Sequence, residues 1–161
     1  LQRLQDSSER VLATARLEQG IAPKDVAVED LNVVVSTQLQ TLRTALEARG
    51  ASITLELANS VLPVSIDASA FGIVLSNLLD NAVKYSPNDA KPIKVKLGIN
   101  QNLAFVSVED QGVGIDPNEV PYVFDQVYRV GNELTRVAQG LGLGLYLVKA
   151  ITELMAGRVN V

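Results

Sequence analysis

The sequence predicts an α+β domain: a two-layer α/β sandwich in which helices cover one face of a mixed, mostly antiparallel sheet. Three observations carry this expectation. Apolar residues recur with helical spacing in some windows and alternate as in strands in others. The strand-like windows come in neighbouring pairs, as hairpins do. Hydrophobic residues make up 47% of 161 positions, enough for a substantial core and an argument against disorder.

Leu1 to about Glu18 reads as a helix with Leu1, Leu4, Val11, Leu12 and Ala15 near one side. Gly20 is its C-terminal cap and Pro23 its stop. Such a helix either packs on its own domain or is the tail of a longer helical hairpin; the abrupt start favours the second. Glu29 to Arg49 repeats apolar residues at helical spacing (Leu31, Val34, Val35, Leu39, Leu42, Leu46), and Gly50 closes it. Ser52 to Leu57 alternates as a strand. Val61 to Ile66 is expected as its antiparallel neighbour, with Pro63 marking an edge. Ser69 to Tyr85 is a helix. Pro92 to Ile99 and Leu103 to Glu109 are strands joined by a turn at Asn100-Gln101-Asn102. From Gly112 to Leu141 the chain is mostly irregular, with a short helix around Tyr122 to Tyr128; stretches of that length are usually functional. Leu143 to Ala156 is a helix ended by Gly157, and Val159-Asn160-Val161 begins a strand.

Composition narrows the chemistry. There is no histidine and no cysteine. Ser-His or Cys-His catalysis and the usual zinc sites are therefore excluded, and the chain cannot carry a phosphohistidine of its own. A net charge of −4 and a pI near 4.8 do not favour nucleic acid or direct contact with an anionic membrane. No apolar run approaches the ~20 residues that cross a bilayer. The absence of cysteine suits a cytoplasmic setting.

Three clusters carry the candidate site. In the helix ending at Tyr85, Asn77, Asn81 and Lys84 are spaced i, i+4, i+7 and share one narrow stripe. That stripe adjoins the apolar face formed by Phe71, Val74, Leu75, Leu78, Leu79 and Ala82. Asparagine is a poor helix former, so two aligned within a turn need a reason. A ligand site and a solvated flank or structural amide network fit equally well. Asp110 directly follows an alternating strand, where a carboxylate can accept from an exocyclic amine such as adenine's. Gly112 and Gly114 next to it let backbone approach a ligand; an ordinary strand-ending turn reads the same way. Gly140, Gly142 and Gly144 alternate with Leu141, Leu143 and Leu145 and run into a helix, an anion site or a hinge. This is neither a Walker loop nor a dinucleotide fingerprint. Together the three clusters can supply ligands for a metal ion, a purine amine and a polyphosphate.

In combination they resemble the sensor histidine kinases. Asn77 to Tyr85 is similar to that family's N box, Asp110 to Ile115 to its G1 box, Phe124 to Arg129 to its F box and Gly140 to Leu145 to its G2 box, in the same order and at matching separations. Ala13 to Gly20 resembles the end of the second helix of the family's dimerisation and phosphotransfer hairpin. The resemblance implies a Bergerat-type ATP-binding fold shared with gyrase B, Hsp90 and MutL. It implies that residues 1–20 are the remnant of the hairpin helix, and that 21–161 are a catalytic domain truncated at its last strand. It further implies that Asn81 coordinates Mg²⁺, Asn77 supports the phosphate site, Lys84 contacts phosphate and Tyr85 lines the pocket. Asp110 would bind the adenine amine, with Gly112, Gly114 and Ile115 on the adenine side. Gly140, Leu141, Gly142, Leu143 and Gly144 would lie on the phosphate side. Arg129 would reach the γ-phosphate from a lid over 129–139.

The implied function is to bind Mg-ATP and donate its γ-phosphate to a histidine on the hairpin. The implied partners are that hairpin and a response regulator receiver domain, within a homodimeric parent; the fragment itself is compatible with a monomer. ATP-hydrolysing relatives carry a glutamate where this chain has Asn77, an amide that cannot serve as a general base. That argues against a gyrase- or chaperone-like ATPase. The alternative from another class is a nucleotide-binding regulatory module, either a degenerate kinase or an anti-sigma-type serine kinase, and the hairpin-like segment from Leu1 to Gly20 argues against it.

Overall fold

Asp30 and Asp67 each stand immediately before a helix, and both act as its N-cap. They divide the front half of the chain in the computed structural model, which describes residues 23–87, 91–125 and 143–161. The elements are β1 (Ala27–Asp30), α1 (Leu31–Glu47), β2 (Ala51–Glu56), β3 (Pro63–Ile66), α2 (Ala68–Tyr85), β4 (Lys91–Asn100) and β5 (Leu103–Asp110). A 3₁₀ turn at Val120–Tyr122 and α3 (Gly144–Leu154) follow. The expected helix over residues 1–18 lies outside the described residues.

Strand β4 is the centre of a three-stranded sheet, parallel to β2 on one side and antiparallel to β5 on the other. The β4–β5 hairpin closes through Gln101 and Asn102, both at positive φ (50° and 64°). Two such residues in succession give the tight turn whose twist matches that of paired strands. On β4, Ile93, Val95 and Leu97 are buried while Lys94 and Lys96 face outward. Lys94 pairs with Glu56 of β2 at 2.8 Å on that open face. Both side chains are well exposed, so the pair adds little stability.

The inner face is covered by helices. Leu75, Leu79, Ala82 and Val83 of α2 share one core with Val35, Leu39 and Leu46 of α1 and with the buried residues of β4. Burying a leucine of this kind contributes about 1.5–3 kcal/mol. Helix α3 packs on the flank of α2, where Val148 and Ile151 meet Val74. The α+β sandwich expected from the sequence is therefore the observed architecture.

One expected pairing is corrected. Residues 61–66 were expected to fold back on β2. Instead β3 pairs antiparallel with β1, a short strand that the sequence does not announce, and β2 takes β4 as its parallel neighbour. The reason lies in side chain to backbone bonds that pull the chain after β2 onto the start of α1. Asn32 Nδ2 donates to the Ser60 carbonyl (2.9 Å), and the Ala58 N–H donates to Asn32 Oδ1 (3.0 Å). The Leu62 N–H donates to Asp30 Oδ1 (3.0 Å), and the Leu31 N–H to the Leu62 carbonyl (2.9 Å). Pro63 does sit on an edge, since β1 and β3 form only a two-stranded ladder among the described residues. The strand expected at Val159-Asn160-Val161 is irregular backbone. The short helix expected around 122–128 is reduced to the 3₁₀ turn, with residues 126–128 outside the described set.

Asp67 carries the most heavily bonded carboxylate described. Oδ1 accepts from the Ser69 and Ala70 amides (2.9 and 3.0 Å), and Oδ2 accepts from the Asp25 amide (3.3 Å). The bond from Ala70 outweighs the upward push of burial, and with its companions holds the pKa below the ordinary 3.8. A carboxyl with a lowered folded pKa contributes stability that is complete above its unfolded pKa and is lost as pH falls through the folded value. Asp67→Ala should therefore cost about 1 kcal/mol at neutral pH. In urea titrations the gap from wild type should narrow below about pH 4; a gap that persists unchanged into stronger acid contradicts this account.

Candidate functional site

Helix α2 supplies one wall. Asn77 is 3% exposed, whereas Asn81 and Lys84 are half-buried. The solvated-flank reading of Asn77 is thereby removed. Its Nδ2 donates to the Ile73 carbonyl one turn back (2.8 Å), which orients the amide. Its Oδ1 faces the start of α3: a β-carbon added to Gly144 would lie 3.2 Å from Asn77 Oδ1 and 3.9 Å from Asn81 Nδ2. Two amides of one helix thus meet the first residue of another.

At the other end of the same stripe, α2 meets the turn after β5. Asp110 Oδ1 accepts from the Gly112 amide at 2.7 Å, and the Val113 amide donates to the Tyr85 carbonyl at 3.2 Å. A β-carbon at Gly112 would fall 2.6 Å from Asp110 Oδ1 and 3.0 Å from the Tyr85 carbonyl oxygen, so a side chain there would displace the carboxylate and press on the end of α2. Gly114 has φ +72°, in the left-handed region that a side chain disfavours. The Lys84 ammonium lies 4.9 Å from the centre of the Tyr85 ring, a cation–π contact on an exposed tyrosine.

The residues singled out from the sequence thus fall into two groups on one backing. Asn77, Asn81 and Lys84 run along α2, with Gly144 against its middle and Leu143 at the N-cap position just before it. Tyr85, Asp110 and Gly112 gather at its C-terminal end, and Gly114 and Ile115 follow along the chain after Val113, whose amide bonds the Tyr85 carbonyl. Asn77 and Tyr85 are separated by about 12 Å along the helix axis. Arg129, Gly140, Leu141 and Gly142 lie outside the described residues. An open depression of about 320 Å³ lies elsewhere, where the ends of β2 and β4 meet residues 57–60, and none of the candidate residues lines it.

Sequence reasoning missed two features. The Tyr85 carbonyl, not only its ring, ties the Asp110 turn to α2; a backbone acceptor leaves no mark in the sequence. Asp80, inside the first cluster, forms an ion pair with Arg49 just beyond α1 and so ties α2 to the end of that helix. Both members are partly exposed, which limits the stability this pair contributes.

The family model for the histidine kinase-, DNA gyrase B- and HSP90-like ATPases matches residues 66–161. The chain belongs to this family. The candidate site, α2 with the Asp110 turn and the start of α3, lies wholly inside the matched span, and nucleotide use is the family's common property. Among relatives of this ATPase-family domain, the sensor histidine kinase YkoH of Bacillus subtilis is 34% identical over 144 residues, covering 89% of this chain and 30% of YkoH. The sensor histidine kinase MtrB of Mycobacterium leprae is 27% identical over 160 residues, covering 99% of the chain and 28% of MtrB. The chain therefore spans less than a third of these relatives. Among solved structures, the mycobacterial sensor histidine kinase MprB superposes with a TM-score of 0.66 at 28% identity, covering 82% of this chain and 81% of that one. Full-length ShkA in complex with AMPPNP superposes with a TM-score of 0.76 over 98% of this chain and 32% of ShkA; at 23% identity it speaks for the fold alone.

Proposed function

We propose that this domain binds Mg-ATP and donates the γ-phosphoryl group to a histidine on a phosphotransfer hairpin of its parent protein. The observation that supports this most is the meeting of the Asn77–Asn81 amides with Gly144, on the same helix whose end holds the Asp110 turn.

In this reading the Asp110 carboxylate, through the oxygen that accepts no bond among the described residues, and the backbone from Gly112 to Ile115 take the adenine. Tyr85 lines the pocket, and Lys84 meets phosphate. Residues 140–144 take the phosphate side, and Arg129 takes the γ-phosphate. A neutral amide oxygen, such as that of half-buried Asn81, suits Mg²⁺, a hard cation that keeps several waters and binds through few protein ligands plus phosphates. Bound there, the ion would neutralise phosphate charge. The chain's own residues orient the nucleotide, which is most of what phosphoryl transfer asks of a protein. Asn77 cannot deprotonate water, so the reading favours transfer over hydrolysis. The γ-phosphoryl group would pass to an imidazole nitrogen and ADP would leave. Since this chain has no histidine, the acceptor is elsewhere.

Residues 1–20 are read as the remnant of the hairpin's second helix and 21–161 as the catalytic domain. The parent would be a homodimer that passes phosphate to a response regulator receiver domain in two-component signalling. Among the described residues no helix is long and apolar enough to cross a membrane; a cytoplasmic position for the domain is part of this proposal.

Calorimetry should give a Kd of about 1–100 μM for ADP or ATP with Mg²⁺. Asn81→Ala should abolish the dependence of affinity on Mg²⁺; no binding at millimolar nucleotide sinks the proposal, and an unchanged metal dependence rejects the role of Asn81. Incubated with Mg-ATP alone, the chain should take up no acid-labile phosphate. A separately supplied histidine-bearing hairpin from the parent should acquire it; a hairpin that stays unlabelled points to a binding module instead of a kinase.

A further inference from the structure

We propose that Asn77 is a positioning residue: its buried amide and the missing β-carbon of Gly144 together set the spacing between α2 and α3, and so hold Asn81 and Lys84 in register with the start of α3. The proposal rests on the nucleotide-site reading above and assigns a different job to each asparagine of the pair.

Three observations meet at this contact. Asn77 is buried and spends its Nδ2 on the Ile73 carbonyl, so the amide cannot turn and its oxygen stays directed at α3. A β-carbon on Gly144 would come within 3.2 Å of that oxygen, tighter than an ordinary van der Waals approach, while the amide carbon at 3.9 Å would be in ordinary contact. Helix α3 has no side-chain cap of its own, because the N-cap position is Leu143. The amide oxygen is thus turned toward the first residue of a helix, the end at which the dipole is positive.

The helices have little room to yield. Val74 of α2 and Val148 and Ile151 of α3 are all buried in one apolar cluster directly beyond the contact. Separating α2 from α3 to admit one more carbon would open that cluster. A group that must reach a solvent-borne ligand needs exposure, which Asn81 has and Asn77 largely lacks. Asn77 therefore acts on the ligand through geometry: the amide at 77 demands the absence of a side chain at 144.

A double-mutant cycle on the full chain tests this, with Gly144→Ala, Asn77→Ser and the double variant. Alanine is the better helix former, so without the contact Gly144→Ala would raise Tm. Expected instead is a lower Tm and a roughly tenfold weaker affinity for Mg-ADP. In the Asn77→Ser background, the shorter side chain should leave Gly144→Ala neutral or stabilising, and the double variant should bind nucleotide better than Gly144→Ala alone. A Gly144→Ala effect on Tm that is equal in both backgrounds, including failure to fold in both, overturns the proposal. Coupling in Tm with no matching rescue of affinity overturns the positioning role. A wild type that binds no nucleotide yet keeps the Tm coupling removes the nucleotide reading and leaves the contact between the helices supported.

Discussion

Leu75, Leu79 and Val83 of α2 are almost wholly withdrawn from water in one core with Ile93 and Val95 of β4, and that burial fixes the rotation of the helix. Everything at the candidate site follows from that rotation. With 100° between residues, seating those three on the sheet turns Asn77, Asn81 and Lys84 to the side away from it, where Gly144 of α3 meets the two amides. The polar stripe is therefore neither free in solvent nor free to turn inward. A slip of α2 by one residue that brought Leu78 to the place of Asn77 would bring Ser76 and Asp80 into the core, at a cost of several kcal/mol.

The ends of α2 are secured as firmly as its face. Asp67 gathers amides from its own helix and from Asp25, forty-two residues earlier in the chain. At the other end the Tyr85 carbonyl holds the Val113 amide, and Gly112 is packed between that carbonyl and the Asp110 side chain. Between them, Gln38 of α1 donates to the Ala68 carbonyl (3.2 Å), and Arg49 pairs with Asp80. A helix tied at both ends and to α1 makes a rigid platform, which is what a site relying on positioning requires.

The sequence made the long, strongly patterned elements legible. The expected helix from Ser69 to Tyr85 differs from α2 by one residue, and the β4–β5 hairpin follows from its alternation and its asparagine turn. The pairing of β3 was not legible. Its partner β1 is four residues long and largely exposed, so it has no hydrophobic signature. The choice is made by Asp30 and Asn32, whose side chains bond backbone some thirty residues away, and no local pattern encodes such bonds. At the site, spacing correctly put Asn77, Asn81 and Lys84 on one stripe. It did not distinguish a buried asparagine from a half-buried one, because that depends on α3 lying against Asn77 through Gly144. Arg129, Gly140, Leu141 and Gly142 stand on sequence resemblance alone.

The central claim is that separate stretches of this chain form one nucleotide site along α2. Amide chemical shifts recorded by NMR during titration with ADP and Mg²⁺ test it most directly. The account predicts that the largest changes fall together on Asn81, Lys84, Gly112, Val113 and Gly144, while Ala27 to Asp30 of β1 stay still. Changes centred on the depression between Glu56 and Ile99, or scattered over surfaces that do not border α2, would contradict it.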